Sequence, residues 1–153
     1  MQVLLNGRFT DEERSELGTV MRKIDSNIDV HESITKSQDL VEIVRASLQV
    51  DSLPQLLVDG VIFEAIKEST LALYRWIKSK KPDAELHLNI RCTIESKTTI
   101  LAIPEKEEDI SKFFEGVDDE LKESGASLFT SEKYRVIKMT SEKITIEDFK
   151  PNS

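Results

Sequence analysis

The feature that most constrains this chain is a change of hydrophobic period at Pro82. Before it, Val58, Val61, Ile62, Ala65, Ile66, Leu73, Trp76 and Ile77 recur mostly at steps of three or four, which gathers them on one face of a helix. Glu64, Lys67, Glu68, Arg75 and Lys78 fall mainly on the other face. The helix is predicted over Asp59–Lys81, with Asp59 as N-cap or an earlier start at Pro54. Its end is set by Lys78, Lys80 and Lys81, which suit the negative pole of the helix dipole, and by the proline that follows.

After Pro82, Leu86, Leu88, Ile90, Cys92 and Ile94 alternate with His87, Asn89, Arg91 and Thr93, the period-two pattern of a strand with one buried face. A short polar break at Glu95–Lys97 and a β-branched run at Thr98–Ile103 complete a hairpin whose turn type the sequence leaves open. The long helix is expected to lie across the inward side of Leu86, Leu88 and Ile90.

Elsewhere the signals are shorter. Gln2–Asn6 reads as a strand, and Thr10 with Glu13 fits a capping box opening a helix over about 10–24. Ile28 and Val30 suggest a brief strand. Thr35 with Gln38, followed by Leu40, Val41, Ile43, Val44 and Leu48, reads as a second capping box and helix, with a break at Val50–Pro54. Glu105–Glu123 is an amphipathic helix buried through Ile110, Phe113, Phe114, Val117 and Leu121, with Gly125 beyond its end. Tyr134–Met139 and Lys143–Phe149 form a final pair of strands. The expected fold is a single α+β domain spanning 1–153, in two layers. It has a mixed or mostly antiparallel sheet of about four to six strands, with about four helices mainly on one face.

Composition narrows the function. The formal net charge of −8 argues against generic nucleic-acid binding through phosphates. No apolar run reaches the eighteen or so residues of a membrane span, and Val3-Leu4-Leu5 is too short for a signal-peptide core, so a cytoplasmic protein is expected. The single Cys92 permits no intramolecular disulfide. The glycines form no phosphate-binding loop. His31 and His87 are far apart, without zinc spacing, and Cys92 and His87 point to opposite faces of one strand. No catalytic, cofactor or metal residues are therefore expected, and the chain reads as more suited to binding than to catalysis.

Two surfaces remain as interaction candidates. The polar row His87, Asn89, Arg91 and Thr93 is exposed if helices cover only the opposite face; an ordinary solvated sheet face is the competing reading. The 105–123 helix carries nine acidic residues against three lysines, and Asp118, Asp119 and Glu120 are one run of three among them. They suit a basic partner, or plain solubility. Trp76 beside Tyr74 and Arg75 reads as core in preference to a base-stacking surface.

The order of elements over residues 2–121 resembles the effector-associated constant component domains of bacterial conflict systems. The specific piece is the helix end Ala72-Leu73-Tyr74-Arg75-Trp76-Ile77-Lys78-Ser79-Lys80-Lys81 running into the strand Glu85-Leu86-His87-Leu88-Asn89-Ile90, followed by Thr99-Ile100-Leu101 and an acidic helix. The chain departs from that family in a helix poorer in Gly and Ala. It also adds residues 126–149, an extra C-terminal β-hairpin. The resemblance implies a non-enzymatic adaptor that couples to a protein partner, and it transfers no catalytic residue. The alternatives are an acidic immunity-type protein facing a basic toxin, and a small enzyme or ligand-binding domain using the outer sheet face near His87, Asn89 and Arg91.

Overall fold

A computed structural model describes residues 1–32, 42–50, 61–124 and 133–149. Ten elements follow one another: β1 (Gln2–Asn6), α1 (Asp11–Arg22), β2 (Asp29–Glu32), β3 (Ile43–Val50), α2 (Val61–Lys80), β4 (Glu85–Ile94), β5 (Lys97–Ala102), α3 (Glu107–Ser124), β6 (Tyr134–Thr140) and β7 (Lys143–Phe149). The seven strands form one mixed sheet in the order β2-β1-β3-β4-β5-β6-β7. Three of its pairings are parallel, β1 with β2, β3 with β4 and β5 with β6. Each is bridged by one helix, as a parallel pair requires. Antiparallel contacts join these units, and β7 closes the row.

The α+β class holds. Among the described residues, however, the sheet has seven strands where four to six were expected, and there are three helices where about four were expected. The discrepancy sits at 43–50, predicted as helix and found as β3 with Val44, Ala46, Leu48 and Val50 buried in strict alternation. Val44 and Leu48 are four apart, a spacing that fits a helix face and a strand face equally well. Position decides the matter, because β3 is hydrogen-bonded on both sides, to β1 and to β4. Thr35, Gln38, Leu40, Val41, Pro54, Val58, Asp59 and Gly125 lie outside the described residues.

The helix starts and stops follow from local chemistry. At α1, the Thr10 hydroxyl accepts from the Glu13 N–H while the Glu13 carboxylate accepts from the Thr10 N–H, the reciprocal capping box. The Thr10 N–H, and to a lesser degree the Thr10 side chain, hold the Glu13 carboxyl below the usual carboxylate range. At α2, the Lys81 N–H still donates to the Ile77 carbonyl before Pro82 ends the run. Two lysines then pin that end: Lys80 meets Glu16 of α1 at 2.9 Å, and Lys81 meets Glu42 at 2.6 Å with its ammonium over the Phe9 ring.

The core is one continuous cluster between the helices and one face of the sheet. Leu86, Leu88, Ile90 and Cys92 meet it from β4, Leu73, Trp76 and Ile77 from α2, and Ile110, Phe113, Phe114 and Val117 from α3. Trp76 is 6% exposed and packs on Phe9 with ring centroids 5.2 Å apart, a core position and not a stacking platform. The α1–α2 and α2–α3 contacts place the three helices side by side in one layer. No helix among the described residues is long and apolar enough to cross a membrane.

Candidate functional site

With the helices on one side, no element among the described residues covers the opposite face of the sheet. The strand registers set side by side on it Arg45, Ser47 and Gln49 of β3, Glu85, His87, Asn89, Arg91 and Thr93 of β4, Thr98, Ile100 and Ala102 of β5, and Tyr134, Val136 and Lys138 of β6. None of these is buried. One-sided burial is what period two produces when helices cover only one face.

The face is divided in character. Across β5, β6 and β7, Ile100 lies beside Val136, and Tyr134 lies between Thr98 and Phe149. Phe149 is 47% exposed, the one large apolar side chain among the described residues left so open. Beside this strip runs the polar row. The Ser47 hydroxyl donates to Asn89 Oδ1 at 2.8 Å, and the Thr93 and Thr98 hydroxyls are 3.2 Å apart. Arg14, Arg75 and Arg135 meet carboxylates. Arg45 and Arg91 are exposed and meet none among the described residues. Arg91 thus stands beside Ile100 at the edge of the apolar strip, while Arg45 lies farther along the face, between Asn6 and His87.

A second feature lies at the end of this face. The exits of β5 and β6 and the β6–β7 turn enclose a cleft of about 500 Å³, lined by residues including Pro104, Glu105, Lys106, Asp109, Lys138 and Glu142. His87, Asn89, Arg91 and Thr93 do not line it. Glu105 also approaches His87: the ligand atoms of Glu85, His87 and Glu105 all lie within 4.8 Å of one another. His87 Nε2 is 3.2 Å from Glu85 Oε1. The Tyr74 hydroxyl donates to the Glu105 carbonyl at 2.7 Å, and burial, then the Glu107 charge, pushes that phenol above its ordinary value, so it stays a donor. Glu85 and Glu105 escaped the sequence reading. Glu85 carried one signal, its place two residues before His87 on the same strand face; Glu105 carried none, because only the strand register brings it near.

The acidic patch is not gathered in this way. Asp118, Asp119 and Glu120 are consecutive on α3, and successive helical residues point about 100° apart, so no common face collects them. Asp118 accepts from the Lys122 ammonium at 2.9 Å, and that bond holds the lysine above its ordinary pKa. Asp119 is exposed and Glu120 is half-buried.

Cys92 is fully buried on the core face, and burial pushes its thiol up to about 12. A thiol held protonated is no nucleophile.

No protein-family model matches the chain, and no curated protein matches it. Among solved structures, the chain is similar to that of Pt0534 inactivated by 2-oxo-3-pentynoate, with a TM-score of 0.43 and 10% identity, over 63% of this chain and 88% of that one.

Proposed function

We propose that the chain is a non-enzymatic interaction module that docks a protein partner on the open face of its sheet. The observation that carries the reading is Arg91, exposed and without a carboxylate among the described residues, beside Ile100 of the apolar strip Ile100, Tyr134, Val136 and Phe149, with Arg45 exposed farther along the same face. An interface with an apolar centre and an arginine-bearing margin has this composition. The matching partner surface is apolar with a carboxylate rim. The resemblance to conflict-system adaptor domains supports the same reading and suggests a defence setting.

The test compares three baits in extracts of the organism that encodes the chain: wild type, Arg45→Glu with Arg91→Glu, and Asp118→Asn with Asp119→Asn and Glu120→Gln. The sheet-face variant is expected to lose a partner that the wild type and the helix variant both retain. Loss from the helix variant alone moves the contact to the acidic helix and an immunity-type role. A partner held equally by all three, or by none, overturns the proposal.

A further inference from the structure

We propose that Glu85, His87 and Glu105 bind a late first-row divalent cation, with zinc the probe of choice. The site lies on the same sheet face as the docking proposal, with Arg45 beside His87, but its ligands are not residues that proposal rests on. The donor set is two carboxylates and one imidazole, each a ligand type that zinc takes, and three protein ligands leave a fourth position open. Ligand atoms that all lie within 4.8 Å of one another can close around one ion after small side-chain rotations. The imidazole favours zinc, nickel or copper over magnesium and calcium, which prefer an all-oxygen shell.

The backbone supports these donors. Glu85 and His87 are two apart on β4 and therefore share a face. The Glu85 N–H donates to the Glu42 carbonyl at 2.9 Å, fixing the start of the strand. Past the last β4–β5 pair, Asn89 with Ala102, the Ile103 N–H donates to the Leu88 carbonyl at 3.0 Å. That bond carries the chain along β4 to Glu105, whose carbonyl is then held by the Tyr74 hydroxyl. Two anchors on independent elements thus fix the main chain that delivers the third ligand, much as outer partners orient ligands in metal centres. Two carboxylates close together on one surface repel, and a bound dication removes that repulsion. Arg45 is the cross-strand neighbour of His87 and opposes the cation, but it forms no ion pair with either carboxylate and the two acids outnumber it.

Zinc chloride is titrated into the full chain by calorimetry and followed by NMR on the backbone amides and the histidine rings. One equivalent is expected to bind and to perturb the signals of Glu85, His87 and Glu105. Each of Glu85→Gln, His87→Ala and Glu105→Gln is expected to weaken binding at least tenfold, roughly the minimum seen when only a ligand's supporting partner is lost. His31→Ala is the control and leaves affinity unchanged. Because the three ligands are exposed, the variants are expected to keep the fold, which circular dichroism checks. The proposal is overturned if zinc does not bind, if His87→Ala binds as wild type, or if magnesium matches zinc. Should a variant unfold, zinc-induced changes in the wild type at His31 instead of His87 overturn it equally.

Discussion

Gly18 in α1 and Gly116 in α3 are both helical glycines, and alanine at the two positions should move stability in opposite directions. Each replacement gains about 1 kcal/mol of helix propensity. What a new methyl group meets differs. At Gly18 the nearest atoms are the guanidinium nitrogens of Arg22, at 2.9 and 3.2 Å, the far end of an exposed side chain that can swing away. Gly18→Ala is therefore expected to stabilise by about 0.5–1 kcal/mol. At Gly116 the methyl meets Ile144 Cγ1 at 2.8 Å and Cδ1 at 3.0 Å, where α3 rests on β7. Overpacking costs about 1–3 kcal/mol, so Gly116→Ala should come out about 1 kcal/mol destabilised after its propensity gain. Urea unfolding, followed by circular dichroism and by the fluorescence of buried Trp76, measures both at unchanged m-value. The steric cause has its own check: in an Ile144→Ala background the cost of Gly116→Ala should shrink. If both alanines stabilise equally, the close approach of α3 to β7 is wrong; a penalty at Gly116 that persists without Ile144 refutes the steric account.

Three further outcomes follow from the local chemistry. Ser141 and Glu142 form the β6–β7 turn with φ of 50° and 65°, a left-handed pair that Asn-Gly adopts at least cost, so Ser141→Asn with Glu142→Gly should raise stability by about 1 kcal/mol in a thermal melt. The Cys92 thiol, pushed up to about 12 by burial, should react with a disulfide reagent near neutral pH only as fast as the protein opens, and denaturant should restore full reactivity. The folded-state pKa of Glu13 is depressed, so its contribution is complete above the unfolded carboxyl range and is lost as pH falls through the folded value. The stability gap between wild type and Glu13→Gln, measured by urea titration at several pH values, should therefore be widest near neutrality and narrow in acid.

The elements legible in the sequence were those with a long, unambiguous period or a complete local motif. Leu73, Trp76 and Ile77 fit only a helix, Leu86 to Cys92 fit only a strand, and Thr10 with Glu13 satisfied a cap that needs no distant partner. β3 was misread because a strand between two neighbours takes its hydrogen bonds from residues far along the chain, and Val44 and Leu48 satisfied both periods. The polar row His87, Asn89, Arg91 and Thr93 was visible by alternation, whereas its neighbours Arg45 and Ser47 became visible only with the register. Glu105 needed the most: a strand pairing, a ladder bond beyond it and a tyrosine from another layer.

The outermost strands carry one more consequence. β2 is four residues long and shows Asp29, His31 and Glu32 to solvent, while β7 shows Lys143, Glu147 and Asp148 along the other rim. Main-chain groups on such rims invite further strands to add on, and ionised side chains make that addition costly. A fibre seeded from either rim would have to desolvate those charges, and replacing them with apolar residues is the shortest route from this fold to an aggregate.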